Sequence, residues 1–223
     1  DIMKCNIQSI IFNGPEDTLK QTQFTQPAIY IVSVILGELM KMNGHSPQAV
    51  AGHSLGEYSA LAVAQSFDFE NGLSLVKIRA ESMANAGNLQ EGTMAAIVGL
   101  DDEIVTNLCS AFSGDGVVVA ANFNSPGQVV ISGSPQAVSF VMGAAKESGA
   151  RMAVLLNVSG AFHSPLMTPA REALAETLDS LEISDALFPV FTNVDAKPVT
   201  QGNDIKESLI RQLENPVLWS KSI

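Results

Sequence analysis

The most informative stretch of this sequence is residues 49–57, Ala-Val-Ala-Gly-His-Ser-Leu-Gly-Glu. Its apolar start, 49–52, predicts a short buried strand, and the alanine-rich residues 58–64 predict a helix soon afterwards. The residues that join them match Gly-x-Ser-x-Gly, in which the glycines let a strand turn sharply into a helix without a Cβ clash. Such a pattern also occurs by chance in many chains, so the strand and helix around it carry the interpretation. We predict that Ser54 is an exposed nucleophile at a strand-to-helix turn.

The position of Ser54 also predicts an oxyanion donor. The first backbone N–H groups of a helix have no partner within the helix. The amide of Leu55 is therefore free to stabilise the negative charge that develops on a carbonyl group attacked by Ser54.

A serine needs a base to become a good nucleophile, and the chain has three histidines. His45 lies in a polar turn, and His53 precedes Ser54 on a strand, so its side chain should point to the opposite face. His163 lies where the chain leaves a small subdomain and returns to a cleft. We predict that His163 is the general base and that the other two histidines are structural.

Outside this turn, the pattern predicts a large α/β body. Apolar residues recur at helical spacing over 27–42, which predicts a core-facing helix with Pro27 in its first turn. Further helices are predicted over 71–86 and 170–181, and a buried strand over 188–194. The apolar stripe of the helix predicted over 27–42 consists of Ile29, Val32, Leu36, Leu39 and Met40.

Residues 92–157 form a different, compact series. Signals for strand, helix, strand, strand, helix and strand follow one another, and turn residues at 122–127 predict a loop between the middle strands. The order β-α-β-β-α-β is typical of a ferredoxin-like unit. We predict an α/β fold: an α/β-hydrolase-like core, residues 1–91 and 158–223, with this ferredoxin-like subdomain inserted as the second wall of a cleft.

Composition excludes several function classes. The 223 residues carry a formal net charge of -11, which argues against a nucleic-acid partner, and the 46% hydrophobic share argues against disorder. Two cysteines without a ligand or disulfide spacing predict a reducing compartment and no metal site. The longest apolar stretch, 28–40, is interrupted by polar residues, and no targeting segment opens the chain. We predict a soluble protein without a membrane partner, in the cytoplasm or the plastid stroma.

The segment 51–61 resembles the active-site segment of the malonyl-coenzyme A:acyl carrier protein transacylase family. Other segments are similar to family motifs and follow in the family's order, so that the resemblance covers nearly the whole chain. These segments are 25–28, 76–79, 122–130, 160–164 and 211–217.

The resemblance implies a two-step acyl transfer in fatty-acid biosynthesis. Malonyl passes from coenzyme A to Ser54 as an ester, and the phosphopantetheine thiol of an acyl carrier protein then takes it. His163 acts first as base and then as acid, and the backbone carbonyl that orients its ring belongs to the position matched by Gln212. No cofactor is implied, because malonyl-coenzyme A is a substrate and the carrier brings its own phosphopantetheine.

The resemblance also assigns substrate-binding residues. Arg79 matches the family arginine that holds the free carboxylate of malonyl, and a guanidinium can pair with a carboxylate through two parallel hydrogen bonds. Phe162 resembles the bulky residue of malonyl-selective members, which excludes branched extenders such as methylmalonyl. Asn122 and Asn124, in the predicted loop, are candidates for contact with malonyl or the pantetheine arm. From the residues alone, these four would be a surface arginine, a core phenylalanine and two ordinary turn asparagines.

The chain departs from the family pattern at its start. Family members begin with a strand that ends in Gly-Gln-Gly-Ser-Gln, whose glutamine amide is the second oxyanion donor, and nothing similar occurs here. We expect both ends of the chain to be trimmed. Loss of one such donor lowers a rate by roughly 10²–10³.

Three alternatives stay open. A polyketide-synthase acyltransferase uses the same chemistry. A serine esterase or thioesterase shares the nucleophile and the histidine but transfers to water, and Arg79 discriminates against it. A non-catalytic carrier-docking fragment would bind a carrier without being acylated. The sequence leaves undetermined the pathway, the second oxyanion donor, the native termini, the oligomeric state and the carrier-docking patch.

Overall fold

A computed structural model of the protein describes residues 2–223, and Asp1, with which the predicted large domain begins, lies outside the described residues. Over that range the helices are α1 Ile7–Asn13, α2 Glu16–Leu19, α3 Thr22–Met42, α4 Leu55–Val63, α5 Phe69–Leu89, α6 Asp102–Ser110, α7 Pro135–Glu147, α8 Thr168–Ser180, α9 Gly202–Gln212 and α10 Trp219–Ser222. The strands are β1 Val50–Ala51, β2 Thr93–Val98, β3 Val118–Ser125, β4 Gln128–Gly133, β5 Met152–Leu155, β6 Val190–Phe191 and β7 Pro198–Val199.

A small sheet of order β1-β6-β7 supports the predicted turn at Ser54. Strands β1 and β6 pair in parallel, with Val50 opposite Val190, and β7 pairs antiparallel with β6. The strand predicted over 188–194 is therefore only two residues long, because the Thr192 amide donates to the Lys197 carbonyl and the chain turns back. The parallel pairing brings the residues that follow β1 and β6 to the same edge of the sheet.

Helix α3 differs from the prediction at its start and on its buried face. It begins at Thr22, so Pro27 occupies the sixth position of the helix rather than its first turn. Gln26, Tyr30 and Val34 are buried at a spacing of four residues, which places them on one face. The five apolar residues predicted to face the core are between 42% and 56% exposed.

The contact between α3 and α5 explains which face is buried. The Tyr30 ring lies 5.7 Å from the Phe69 ring, centroid to centroid, and its hydroxyl donates to the Phe69 carbonyl at 3.2 Å. A Cβ atom on Gly72 would lie 2.1 Å from the Tyr30 hydroxyl, so this glycine permits the close approach. The face of α3 that carries Gln26, Tyr30 and Val34 therefore packs inward, and the predicted apolar stripe does not.

The predicted β-α-β-β-α-β series is present between β2 and β5. The four strands form an antiparallel sheet of order β3-β4-β2-β5, and residues of α6 and α7 share one apolar core with it. The loop predicted over 122–127 is wrong, because β3 continues to Ser125 and the turn is confined to Pro126 and Gly127. Gly127 has a φ of 74°, which suits a two-residue turn between antiparallel strands. The exact division at 92–157 stays a prediction.

The segment before α10 connects the two sheets. The Val217 amide donates to the Ala121 carbonyl and the Val217 carbonyl accepts from the Phe123 amide, both at 2.9 Å, which forms a parallel bridge to β3. The next amide, that of Leu218, donates to the Asn193 carbonyl beside the small sheet at 2.8 Å. Continuous backbone hydrogen bonding thus runs from one sheet to the other. No helix within residues 2–223 combines the length and apolar character needed to cross a membrane.

Candidate active site

Ser54 lies at a strained turn between β1 and α4. Its φ of 53° and ψ of -107° are unusual for a residue with a side chain, and such a conformation costs on the order of 1–3 kcal/mol. A Cβ atom on Gly52 would lie 1.9 Å from the Gly56 carbonyl, whereas a Cβ atom on Gly56 would meet nothing within 4 Å. Only the first glycine of the motif is therefore required by close packing.

His163 contacts the Ser54 hydroxyl directly. Its Nε2 atom lies 2.7 Å from Ser54 Oγ, and its Nδ1 atom lies 2.9 Å from the carbonyl oxygen of Gln212. Because a carbonyl oxygen can only accept, Nδ1 carries the proton and Nε2 is left to accept the serine proton. The structure thus places Ser54, His163 and the Gln212 carbonyl in the order expected of nucleophile, base and orienting group.

The environment of His163 keeps its ring neutral. The side chain is 3% exposed, and burial together with the nearby positive charge of Arg79 lowers the pKa of His163 to about 3. At neutral pH the imidazole therefore holds one proton, and its Nε2 lone pair is free to accept a hydrogen bond from the serine.

Arg79 is buried beside the nucleophile rather than at the surface, with only 1% of its area exposed. Its Nη2 atom donates to Ser54 Oγ at 2.9 Å and to Gln212 Oε1 at 3.1 Å, and its Nη1 atom donates to Gln26 Oε1 at 2.5 Å. The guanidinium also lies over the Tyr58 ring, 5.4 Å from its centroid. These partners are uncharged, and no ion pair within residues 2–223 includes Arg79.

A buried guanidinium without a direct ion pair favours an anionic ligand. Burial is the main cause of a lowered pKa for Arg79, and the nearby Tyr58 and Glu57 offset it only in part, so the charged form loses more through dehydration than it gains from its neighbours. The Nε atom of this guanidinium has no hydrogen-bond partner in the described part of the chain. A ligand carboxylate would supply both the missing charge and the missing acceptor.

Three polar residues of the site were missed by the sequence analysis. Asn193 follows β6, and its side chain accepts from the Ser54 amide at 2.6 Å and donates to the Gly52 carbonyl at 2.7 Å. Gln26 holds Arg79, as described above. Glu57 is 1% exposed, and burial raises its pKa to about 7. A carboxylate inside the apolar helix 55–63 was a usable signal for Glu57, and Gln26 lies in the family-like segment 25–28, whereas Asn193 had no such signal.

Of the remaining predicted residues, Leu55 can take part in the reaction, whereas the two asparagines and the other two histidines do not contact the reacting groups. The Leu55 amide has no acceptor within residues 2–223 and is free to bind an oxyanion. Asn124 Oδ1 lies 2.8 Å from His53 Nε2, and the structure gives neither Asn124 nor the buried Asn122 a hydrogen bond to Ser54, His163 or Arg79. The His53 ring also meets Trp219 edge-on, at 5.6 Å, and the third histidine, in the polar turn before β1, is exposed.

A cavity of about 830 Å³ adjoins the site. Gln26 and Phe162 line it, together with Lys20, Asn88 and Ser159. Gln26 holds the Arg79 guanidinium and Phe162 precedes His163, so the cavity is lined by a neighbour of each partner of the nucleophile. Across the described residues, no group of three or more His, Cys, Asp or Glu side chains is placed to hold a metal ion.

Sequence comparison finds a family model and known proteins that are similar to the chain over nearly its whole length. The model of the family described as acyl transferase domain matches residues 2–223. The malonyl CoA-acyl carrier protein transacylase of Bacillus subtilis is 43% identical over 224 aligned residues, which cover 100% of this chain and 71% of the relative.

Solved structures agree with the sequence comparison. A malonyl CoA-acyl carrier protein transacylase from Coxiella burnetii superposes with a TM-score of 0.96 at 38% identity, over 99% of this chain and 70% of that one. A malonyl-transacylase in complex with its type II PKS acyl-carrier protein superposes with a TM-score of 0.95 at 39% identity, over 100% of this chain and 72% of that one. The predicted fold class is confirmed by these neighbours.

Proposed function

The chain belongs to the acyl transferase domain family, and from this membership we propose that it moves malonyl from malonyl-coenzyme A through Ser54 to the phosphopantetheine thiol of an acyl carrier protein. One observation carries the proposal. The Ser54 hydroxyl lies within hydrogen-bond distance of both a neutral imidazole, His163, and a guanidinium without an anionic partner, Arg79.

In the first step Ser54 is acylated. His163 Nε2 takes the hydroxyl proton while Oγ forms a bond to the thioester carbonyl carbon, and the oxyanion receives a hydrogen bond from the Leu55 amide. The carbon–sulfur bond then breaks. His163 returns its proton to the departing sulfur, so that free coenzyme A leaves and malonyl stays as an ester of Ser54.

In the second step the carrier thiol reverses this chemistry. His163 removes the thiol proton, the sulfur attacks the ester carbonyl, and the bond to Ser54 Oγ breaks with return of the proton to Oγ. The Gln212 carbonyl accepts a hydrogen bond from the Nδ1–H group throughout, which fixes the ring orientation and stabilises the imidazolium that forms in each step. The reaction as proposed needs no cofactor.

Arg79 gives the site its preference for malonyl. The free carboxylate of malonyl pairs with the buried guanidinium, whereas an acetyl group leaves that charge unpaired. Leaving a buried charge without its partner costs on the order of 2–5 kcal/mol. Phe162 lines the cavity that adjoins the site. Its ring narrows the space beside the substrate α-carbon and disfavours branched extenders. Asn122 and Asn124 stay candidates for contact with the pantetheine arm.

Fatty-acid synthesis is the pathway we propose, and polyketide synthesis is the second candidate. The second candidate is favoured by the neighbour of TM-score 0.95, whose partner is a type II PKS acyl-carrier protein. The two pathways differ in the carrier rather than in the chemistry at Ser54. Comparison of transfer rates to a fatty-acid carrier and a polyketide carrier therefore separates them. The cytoplasm or plastid stroma stays the predicted location.

The proposal is tested by incubating the protein with malonyl-coenzyme A, then with phosphopantetheinylated carrier, and recording intact masses of both proteins. We expect a malonyl adduct that is lost in Ser54→Ala and that moves to the carrier. Arg79→Ala should shift loading toward acetyl, whereas Arg151→Ala, which removes an exposed arginine, should not.

Two outcomes would contradict the proposal. Rapid release of malonate without carrier would indicate an esterase or thioesterase. Carrier binding by a folded protein that is never acylated would indicate a docking module.

A further inference from the structure

The least expected side chain near the nucleophile is the carboxylate of Glu57. It lies in the first turn of α4, three residues after Ser54, and is almost completely buried. A buried carboxylate is costly unless it is paired with a cation or well hydrogen-bonded. No ion pair in the described part of the chain includes Glu57, so an ion pair does not account for its burial.

A single oxygen of this carboxylate receives two hydrogen bonds. Glu57 Oε2 accepts from the Gln212 side-chain Nε2 at 2.7 Å and from the Asn193 backbone amide at 3.1 Å. These donors come from the end of α9 and from the residues after β6, two segments that are far apart in the sequence. Glu57 therefore connects its own helix α4 with the end of α9 and with the residues after β6, close to the nucleophile.

Both partners of Glu57 contact reacting groups. Gln212 offers its backbone carbonyl to His163, its Oε1 to Arg79 and its Nε2 to the Ser54 carbonyl at 3.0 Å. Asn193 binds the Ser54 amide through its side chain. Ser54, His163 and Arg79 each thus contact a residue that Glu57 holds.

The carboxylate and the Ser54 carbonyl together fix which way the Gln212 amide faces, since both accept from its Nε2. With Nε2 directed to Glu57, the oxygen Oε1 must face Arg79, where it accepts a hydrogen bond. In the reversed orientation an NH₂ group would face the guanidinium, and two donors would oppose each other. An acceptor oxygen at position 57 opposes the reversed orientation, because the same Oε2 also accepts from the Asn193 amide.

We propose that Glu57 is a positioning residue, which sets the orientation of Gln212 and Asn193 and through them the geometry of His163, Ser54 and Arg79. This inference rests on the proposed function, since its readouts are the malonylation of Ser54 and the choice between acyl groups. It assigns to the acidic residue directly after the motif a role in both rate and selectivity.

The test compares two substitutions at this position with a matched control. Glu57→Met keeps the length of the side chain without an acceptor, and Glu57→Gln keeps one oxygen that can accept both hydrogen bonds. Ser59→Ala changes a buried residue on the same helix whose hydroxyl has no partner within residues 2–223. Folding is verified by circular dichroism, and single-turnover labelling of Ser54 is followed by intact mass with malonyl- and acetyl-coenzyme A.

We expect Glu57→Met to lower the malonylation rate by about tenfold to a hundredfold, the cost of losing a charge-assisted hydrogen bond. It should also lower the ratio of malonyl to acetyl labelling, because Arg79 loses its fixed acceptor. Glu57→Gln should keep most of the rate and the ratio, and Ser59→Ala should change neither. A purely structural role would reduce the amount of folded protein but leave the ratio unchanged.

The inference is overturned if folded Glu57→Met labels with the same rate and ratio as Ser59→Ala. If Glu57→Met does not fold, Gln212→Met breaks the same contact from the other side, and an unchanged ratio in that variant also overturns it. Wild-type protein that malonyl-coenzyme A does not label contradicts the proposed function itself. Labelled wild type with unaffected variants contradicts only the role of Glu57.

Discussion

Ser54 and His163 are held together by backbone conformations that neither residue adopts easily. Their φ angles are 53° and 58°, both in the left-handed region, and their side chains meet at 2.7 Å. Such conformations persist only where the surroundings impose them. Here the Asn193 side chain braces the serine and the Gln212 carbonyl braces the imidazole.

The lowered pKa of His163 has a consequence for stability. Burial and Arg79 lower this pKa from 6.5 to about 3, so between these values the unfolded chain binds more protons than the folded one. The stabilisation is present above about pH 6.5 and is lost as the pH falls toward 3. Relative to His163→Gln, the wild type should lose on the order of 3 kcal/mol of unfolding free energy between about pH 7 and pH 4.

Urea unfolding of both proteins at a series of pH values measures this difference. Other groups, including Glu57, titrate in both proteins and largely cancel in the comparison. A difference that stays constant with pH would show that the folded imidazole titrates normally.

Among single residues, those with a local motif could be predicted and those without one could not. Ser54 follows from its flanking pattern, and His163 follows from the small number of histidines. Gln26, Glu57 and Asn193 act through hydrogen bonds to groups 53 to 155 positions away, such as Arg79 and Gln212. Even where the local sequence marks a residue as unusual, as for Glu57, it does not show which distant group that residue will contact.

At the scale of elements, the two glycines of the motif differ in what they permit. A Cβ atom at Gly52 would overlap the backbone of α4, whereas a Cβ atom at Gly56 lies in open space. Gly52→Ala should therefore destabilise the protein by more than about 2 kcal/mol and abolish labelling of Ser54. Gly56→Ala should be neutral or stabilising by up to about 1 kcal/mol, since alanine favours the helix.

Thermal unfolding together with malonyl labelling distinguishes the two variants. If Gly52→Ala and Gly56→Ala had equal effects on stability and labelling, the turn at Ser54 would be able to open without loss of the fold. The matched pair is informative because both changes add the same methyl group within one turn.

The elements themselves were predicted better than their faces and ends. Apolar spacing located α3 but assigned the wrong face to the core, because the packing of Tyr30 over Gly72 is a contact between distant residues. Turn residues at 122–127 indicated a loop, but pairing with β4 extends β3 through most of it. Local composition does not contain either of these tertiary contacts.

For the whole molecule, the site depends on chain segments that only the complete fold assembles. The nucleophile follows β1, the base follows the small subdomain, and Arg79 comes from α5 with partners on α3 and α9. The backbone bridge at Val217 then ties the edge of the larger sheet to the segment that carries Asn193. The sequence predicted the β-α-β-β-α-β order, but not this last connection.

The two left-handed residues that face each other make the hydrogen bond between them a sensitive reporter of structural integrity. Each conformation is maintained by contacts with other segments of the chain. Local unfolding of any of these segments therefore allows both residues to relax, while the helices stay folded. We therefore expect labelling of Ser54 to disappear at lower urea concentrations than the helical circular dichroism signal. Coincident transitions would show instead that catalytic competence and global folding form one cooperative unit.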